Sequence, residues 1–265
     1  MRNIITKTFN NLAFNAKYLS EFALQLFFPA KCMSCDAIVA KMGSICSECF
    51  MEMQALGAPE CCKCGQPFAY DIGFGTADVI CDNCTAHPPN YDSAKALWAY
   101  DDYSGKIVKR FKFSDKTQIA PHLGRLLAQR GADLIDKADI IAPVPLHFKR
   151  LRERRYNQAI LLCKYLGASN LCLNLLIRTR YTIPQIELPF NKRQENVQGV
   201  FQVNPKYTRH LQGVNILLID DVLTTGATLN ACAIALKNAG ANQVYALTLT
   251  KRLLEDKLYF LKTCL

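Results

Sequence analysis

The chain has 265 residues, half of them hydrophobic, enough for one sizeable α/β core plus a smaller module. Its formal charge of +10 points to a polyanionic partner or a phosphorylated ligand. No apolar run is long enough to span a bilayer and no signal peptide with a cleavage site is evident, so the 13 cysteines are expected as thiols rather than as a disulfide scaffold.

Residues 1–30 read as a basic amphipathic helix, with Arg2, Lys7 and Lys17 and no acid before Glu21. Such a helix suits a membrane surface or an organellar presequence. The preferred reading is plainer: Phe9, Leu12, Phe14, Leu19, Phe22 and Leu26 pack on the rest of the protein. Residues 31–90 form a cysteine module. Cys32-x-x-Cys35 precedes Cys46-x-x-Cys49, and Cys61-x-x-Cys64 precedes Cys81-x-x-Cys84. A Cys-x-x-Cys knuckle turns both thiolates toward one tetrahedral metal, and two knuckles complete a four-thiolate structural zinc site. Two structural Zn²⁺ ions are therefore expected, paired in chain order, although interleaved pairing fits the same spacings. Cys62 is a spare beside Cys61. A redox role for the knuckles fits less well, because four of them in one short segment match a metal count better than a redox pair. The module lacks the apolar periodicity for a core of its own, so metal binding would supply its folding free energy.

Residues 91–265 read as an α/β domain. A strand is predicted over 94–100, then a helix over 106–113 ending in a basic-aromatic patch. Lys109, Arg110 and Lys112, interleaved with Phe111 and Phe113, are candidates for phosphate contacts and base stacking on single-stranded DNA, unless the two phenylalanines are core. This patch is expected to lie away from the loop after Asp220. Leu123, Leu126, Leu127 and Leu134 predict a helix over 121–136, and 139–145 reads as a strand entering a Pro-bounded loop. Backbone N–H groups around Val144, with Arg150 and Arg154 as guanidinium forks, can hold a diphosphate there. The competing reading is a stiff turn with solvent-facing arginines. His147 is either a phosphate donor or, more commonly, a surface histidine. A helix is expected over 156–166, while 171–177 is apolar but of open state. Arg178, Thr182, Gln185, Arg193 and Asn196 lie on a polar stretch that can cover a ligand or remain a solvated loop.

The most informative segment is Ile216 to Leu229. Four apolar residues read as a buried parallel strand, followed by Asp220 and Asp221 and a loop of Thr224, Thr225, Gly226, Ala227 and Thr228 leading into a helix. Hydroxyl donors, a glycine permitting close backbone approach and a helix N-terminus suit a phosphate. The carboxylates can take ribose hydroxyls directly or through Mg²⁺. A strand over 243–250 closes the domain. The alternation predicts a mostly parallel α/β sheet that binds ligands at the C-terminal ends of its strands.

The segment 216–229 resembles the phosphoribosyl-pyrophosphate (PRPP) loop of type I phosphoribosyltransferases. Pro143-Val144-Pro145-Leu146-His147, followed by Arg150, Arg154 and Tyr156-Asn157-Gln158-Ala159, resembles the ComF family. So does Arg178-x-x-x-Thr182-x-x-Gln185, continued by Arg193-x-x-Asn196. With the cysteine module the likeness covers roughly 27–252. It implies a type I phosphoribosyltransferase-like domain behind a double zinc ribbon, and a role with single-stranded DNA in natural transformation or use of DNA as a nutrient. The partners it implies are PRPP or a related phosphorylated sugar with Mg²⁺, single-stranded DNA, and other DNA-uptake or recombination proteins, in the cytoplasm or at a membrane surface. The family usually has glycine where this chain has Arg155, which predicts an altered loop because positive φ is costly for arginine. Two functions follow. One is a binding protein that grips a phosphorylated ligand and handles single-stranded DNA. The other is an active phosphoribosyltransferase in nucleotide salvage, with Asp220 and Asp221 at the ribose as catalytic residues, for which nothing identifies an acceptor base.

Overall fold

The computed structural model describes residues 29–68, 78–113, 117–180 and 199–253. Residues 1–28 of the N-terminal segment, and Thr182, Gln185, Arg193 and Asn196 of the polar stretch, lie outside the described residues. In the cysteine module, helices α1 (Ser47–Glu52) and α2 (Asp82–Ala86) each begin directly after the first cysteine of a knuckle, Cys46 or Cys81. One helical turn then brings Cys49 or Cys84 back over it.

The rest follows as β1 (Ser93–Ala99), α3 (Asp102–Phe113), α4 (Ala120–Arg130), α5 (Ala132–Lys137), β2 (Ile140–Pro143), α6 (Phe148–Arg154), α7 (Gln158–Lys164), β3 (Leu176–Arg178), β4 (Phe201–Val203), β5 (Ile216–Leu223), α8 (Ala227–Asn238) and β6 (Val244–Lys251). The main sheet has the order β1-β6-β5-β2, and all its pairings are parallel. The fold is therefore the α/β class that the strand–helix alternation predicts. Period-two alternation in β5 divides the core. Ile216 and Leu218 pack with Leu229, Cys232 and Leu236 of α8, while Leu217 and Ile219 pack with Ile107, Phe111, Leu123 and Leu162 of α3, α4 and α7. Among the described residues no helix is long and apolar enough to cross a membrane.

Three local features differ from the sequence reading, and a fourth settles a segment it left open. First, α3 starts at Asp102, because Asp101 Oδ1 accepts from the N–H groups of Tyr103 (2.9 Å) and Ser104 (2.7 Å), an N-cap that apolar periodicity does not register. Second, the predicted helix over 121–136 breaks at Gly131, where a Cβ would come 2.2 Å from Leu247 Cδ2. Third, α6 is a helix where only a loop was expected. Fourth, 171–177 ends in β3, which pairs antiparallel with β4 in a separate two-stranded sheet.

The cysteine module covers the outer edge of β1. Leu56 N–H donates to Leu97 O (3.0 Å) and Ala99 N–H to Gln54 O (2.9 Å), so backbone groups of an edge strand are satisfied rather than left open. Arg130 secures the same junction, donating through Nε to Ala96 O at 3.0 Å and pairing with Glu60.

Candidate functional site

The C-terminal ends of β2 and β5 are adjacent, with Pro143 in register with Ile219. The two segments singled out in the sequence are thereby side by side. β5 runs through Leu223, so Asp220 and Asp221 stand inside the strand rather than after it. Being consecutive, they leave opposite faces of the strand. Asp221 Oδ1 lies 2.7 Å from Lys112 Nζ of α3. The Asp221 N–H donates to Asp220 Oδ1 at 2.8 Å. Burial, and next the charge of Asp221, push the Asp220 carboxyl up to about 7, against the Asp221 N–H and the cations Lys112 and Arg178. Lys112 of α3 thus meets Asp221 directly, while the charges of Lys112 and of Arg178 on β3 both act on Asp220.

Downstream, Gly226 takes φ +77°, a left-handed conformation that glycine adopts without steric cost, and N-caps the twelve-residue α8. The Thr225 hydroxyl accepts from Ala227 N–H at 3.3 Å. Thr224, Thr225 and Thr228 are half-buried around this turn, while Gly226 and Ala227 are buried. Tyr91, which follows the second cysteine cluster, is buried against it: a Cβ on Gly226 would stand 3.3 Å from Tyr91 Oη.

The Pro143 loop is more committed than its sequence implies. Val144 N–H donates to Ile219 O (2.9 Å) and Val144 O accepts from Asn157 Nδ2 (3.0 Å), so the Val144 backbone extends the sheet and offers no N–H to a diphosphate. His147 is buried and caps α6, its Nδ1 accepting from Lys149 N–H at 3.3 Å. Arg150 lies half-buried on α6. The Arg154 guanidinium sits 5.1 Å from the centre of the Phe113 ring. Arg155 adopts φ +65° and C-caps α6, so the left-handed turn expected to be costly for arginine is made here by an arginine.

The basic-aromatic patch divides. Phe111 is fully buried and Phe113 is 70% exposed. Arg110 pairs with Asp36 of the first cysteine cluster's loop (Nη1 to Oδ1, 2.9 Å), which makes it a tie between modules. Lys109 is exposed, and Lys112 reaches Asp221. The expectation that this patch lies away from the Asp220 loop is therefore wrong. The α3 helix aims its last turn at the carboxylates, a direction that residue spacing alone does not fix. The residue that sequence reasoning mislocated most is Lys112. A helix face running from buried Ile107 and Val108 to Phe111 was the available signal that its neighbour would be carried inward.

The eight knuckle cysteines form two clusters, Cys32-Cys35-Cys46-Cys49 and Cys61-Cys64-Cys81-Cys84, with the four Sγ atoms of each within 4.8 Å of one another. Pairing is in chain order, and Cys62 belongs to neither cluster. A tetrahedral zinc with Zn–S near 2.3 Å sets its sulfurs about 3.8 Å apart. Cys35–Cys46 and Cys64–Cys81 are at 3.5 and 3.7 Å. N–H groups of Ser34 (3.4 Å) and Cys46 (3.3 Å) point at Cys32 Sγ, and that of Cys81 (3.3 Å) at Cys61 Sγ. The Cys64 thiol, with backbone N–H groups assisting and burial opposing, holds Cys61 down at about 4. Both clusters thus fit the donor set of a structural zinc site.

Comparison with known proteins finds both kinds of module in this chain. Residues 23–85 match the double zinc ribbon domain, and residues 180–257 the phosphoribosyl transferase domain. Competence protein F of Haemophilus influenzae is 30% identical, over 82% of this chain and 95% of that protein. The DNA utilization protein YhgH of Escherichia coli K12 is 30% identical, over 85% of this chain and 99% of that protein. Among solved structures, the glutamine PRPP amidotransferase of B. subtilis complexed with ADP and GMP matches 52% of this chain and 30% of its own, at 21% identity and a TM-score of 0.35, too slight a likeness to argue from.

Proposed function

The chain belongs to the competence protein F and DNA utilization protein YhgH family, the ComF family, and from that premise we propose that it binds PRPP or a related sugar phosphate at Asp220–Thr228 and handles single-stranded DNA beside that site. The observation that carries the reading is the pairing of left-handed Gly226 at the N-terminus of α8 with two carboxylates at the end of β5. The N-terminal end of α8 favours a phosphate, and the carboxylates favour ribose hydroxyls. Asp220 and Asp221 are the residues that would hold Mg²⁺, which would offset the charge of a bound phosphate. Arg178 and Lys112 supply cations on the other side. With Val144 N–H engaged in the sheet, the diphosphate role falls to Arg150 and Arg154, with Arg193, Gln185 and Asn196 as further covering candidates. Structural zinc in both cysteine clusters holds the N-terminal module to β1. Residues 1–30, 31–90 and 91–265 are the proposed divisions of the chain.

The DNA surface is better placed on α6 than on Lys109 and Arg110. No residue of α6 is buried, and its Phe148 (65% exposed) and Leu151 (41%) stand among Lys149, Arg150, Arg152 and Arg154. Arg154 reaches Phe113, one residue from Lys112, so the helix adjoins the carboxylates. Cations for phosphates and an exposed aromatic for bases are what an unpaired strand requires. Anisotropy of a labelled single-stranded oligonucleotide across a salt series tests this. Lys149→Glu with Arg152→Glu should weaken binding and flatten the log–log salt slope by about 0.7 for each phosphate no longer neutralised. An unchanged slope would move the DNA elsewhere. Release of pyrophosphate from PRPP with a panel of bases would instead favour an active transferase.

A further inference from the structure

Lys112 Nζ is 2.7 Å from Asp221 Oδ1, with only 19% of the lysine side chain and 12% of the aspartate exposed. It is not a loose surface lysine. Phe111, the residue before it, is fully buried, and its carbonyl accepts from Tyr156 Oη at 2.7 Å. The α3 helix is thus fixed where Lys112 leaves it. The charge of Arg178 on β3 also acts on Asp220, so Lys112 is the cation in direct contact with the carboxylate segment.

We propose that Lys112 is a resident counter-ion of the Asp220–Asp221 pair, which a metal-bound sugar phosphate exchanges for its own divalent cation, so that the pocket admits cation–phosphate complexes and rejects the bare cation. This rests on the phosphosugar reading of the pair. A bare divalent ion must expel Lys112 and leave an ammonium uncompensated in a largely covered site, which is costly. A cation carrying a phosphate brings an anion for the released ammonium to meet, so the exchange conserves charge.

The test uses the full zinc-loaded chain and Mn²⁺ alone as probe, followed by electron paramagnetic resonance. Lys112→Met should bind Mn²⁺ about tenfold or more tightly than the parent, since a like charge is removed next to the cation. Adding Asp220→Asn and Asp221→Asn should abolish that gain. Equal Mn²⁺ affinity in Lys112→Met and the parent overturns the proposal. The parent alone gives a second measurement: acetic anhydride labelling of Lys112 should rise severalfold at saturating Mn²⁺, and unchanged labelling also overturns it. The two readings part cleanly. Tighter Mn²⁺ binding in Lys112→Met with no PRPP binding by either protein upholds the counter-ion and defeats the phosphosugar site. Mg²⁺-dependent PRPP binding by the parent with unaltered Mn²⁺ affinity in Lys112→Met does the reverse.

Discussion

Burial, and then the charge of Asp221, raise the Asp220 carboxyl to about 7, from an ordinary value near 4. Asp221, Lys112, Arg178 and the Cys232 thiol are the titratable groups coupled to it. Between those two pH values the folded protein holds a proton that the unfolded chain has released, so this group's contribution to stability falls as pH rises through the window. Asp220→Asn removes the dependence. Denaturant unfolding at pH 5 and pH 8 should show the variant gaining roughly 2 kcal/mol on the parent across that range. A constant difference would mean that the carboxyl is already ionised at pH 5. Arg155 supports a second prediction. At φ +65° it bears a left-handed penalty of about 1–2 kcal/mol, so Arg155→Gly should stabilise the protein by about 1 kcal/mol. Equal midpoints in denaturant would mean that arginine contacts repay the strain.

The two cysteine clusters share a ligand set but differ in cover. All four cysteines of the second are buried, whereas in the first Cys35 is exposed and Cys46 half-buried. Metal analysis should find about two zinc ions per chain. A chelator in excess should release them in two phases of equal amplitude, the fast one from the first cluster. One phase, or a chain with disulfides and no zinc, would contradict this account. How much of this was legible depended on the element. Knuckle spacing in sequence already contains the cluster geometry, because a cysteine and its partner three residues on are joined by one tight turn, helical after Cys46 and Cys81 and non-helical after Cys32 and Cys61. The apolar run Ile216–Ile219 likewise announced a central parallel strand. The helix α6 could not be seen, because it buries nothing and so leaves no apolar period, and β3 and β4 are three residues each. The buried face of Ile107, Val108 and Phe111 signalled that α3 packs inward, but Asp221 as the partner of Lys112 was not legible, since that contact joins residues far apart in sequence.

At the scale of the molecule, three parts meet at one end of the sheet. The loop at Gly226 has Tyr91 against it, and Asn90 N–H donates to Asn230 Oδ1 of α8 at 2.7 Å, so the exit of the second cluster is tied to the proposed phosphate turn. Asp92 pairs with Lys237 at 2.7 Å along the same helix. The first cluster is tied through Asp36 and Arg110 to α3, which ends at Lys112 beside the carboxylates. The basic helix α6 adjoins that point through Arg154 and Phe113. The arrangement has the zinc ribbon bracing the pocket from one side and the DNA candidate helix flanking it on another. Its central claim is that the Asp220–Thr228 turn binds a phosphorylated sugar through Mg²⁺. The most direct measurement is a calorimetric titration of the zinc-loaded protein with PRPP, with and without Mg²⁺, alongside a folded Asp220→Asn, Asp221→Asn double variant. Saturable binding that requires Mg²⁺ and is lost in the double variant is the predicted result. Absence of binding by the parent, or equal affinity in the two proteins, would contradict it.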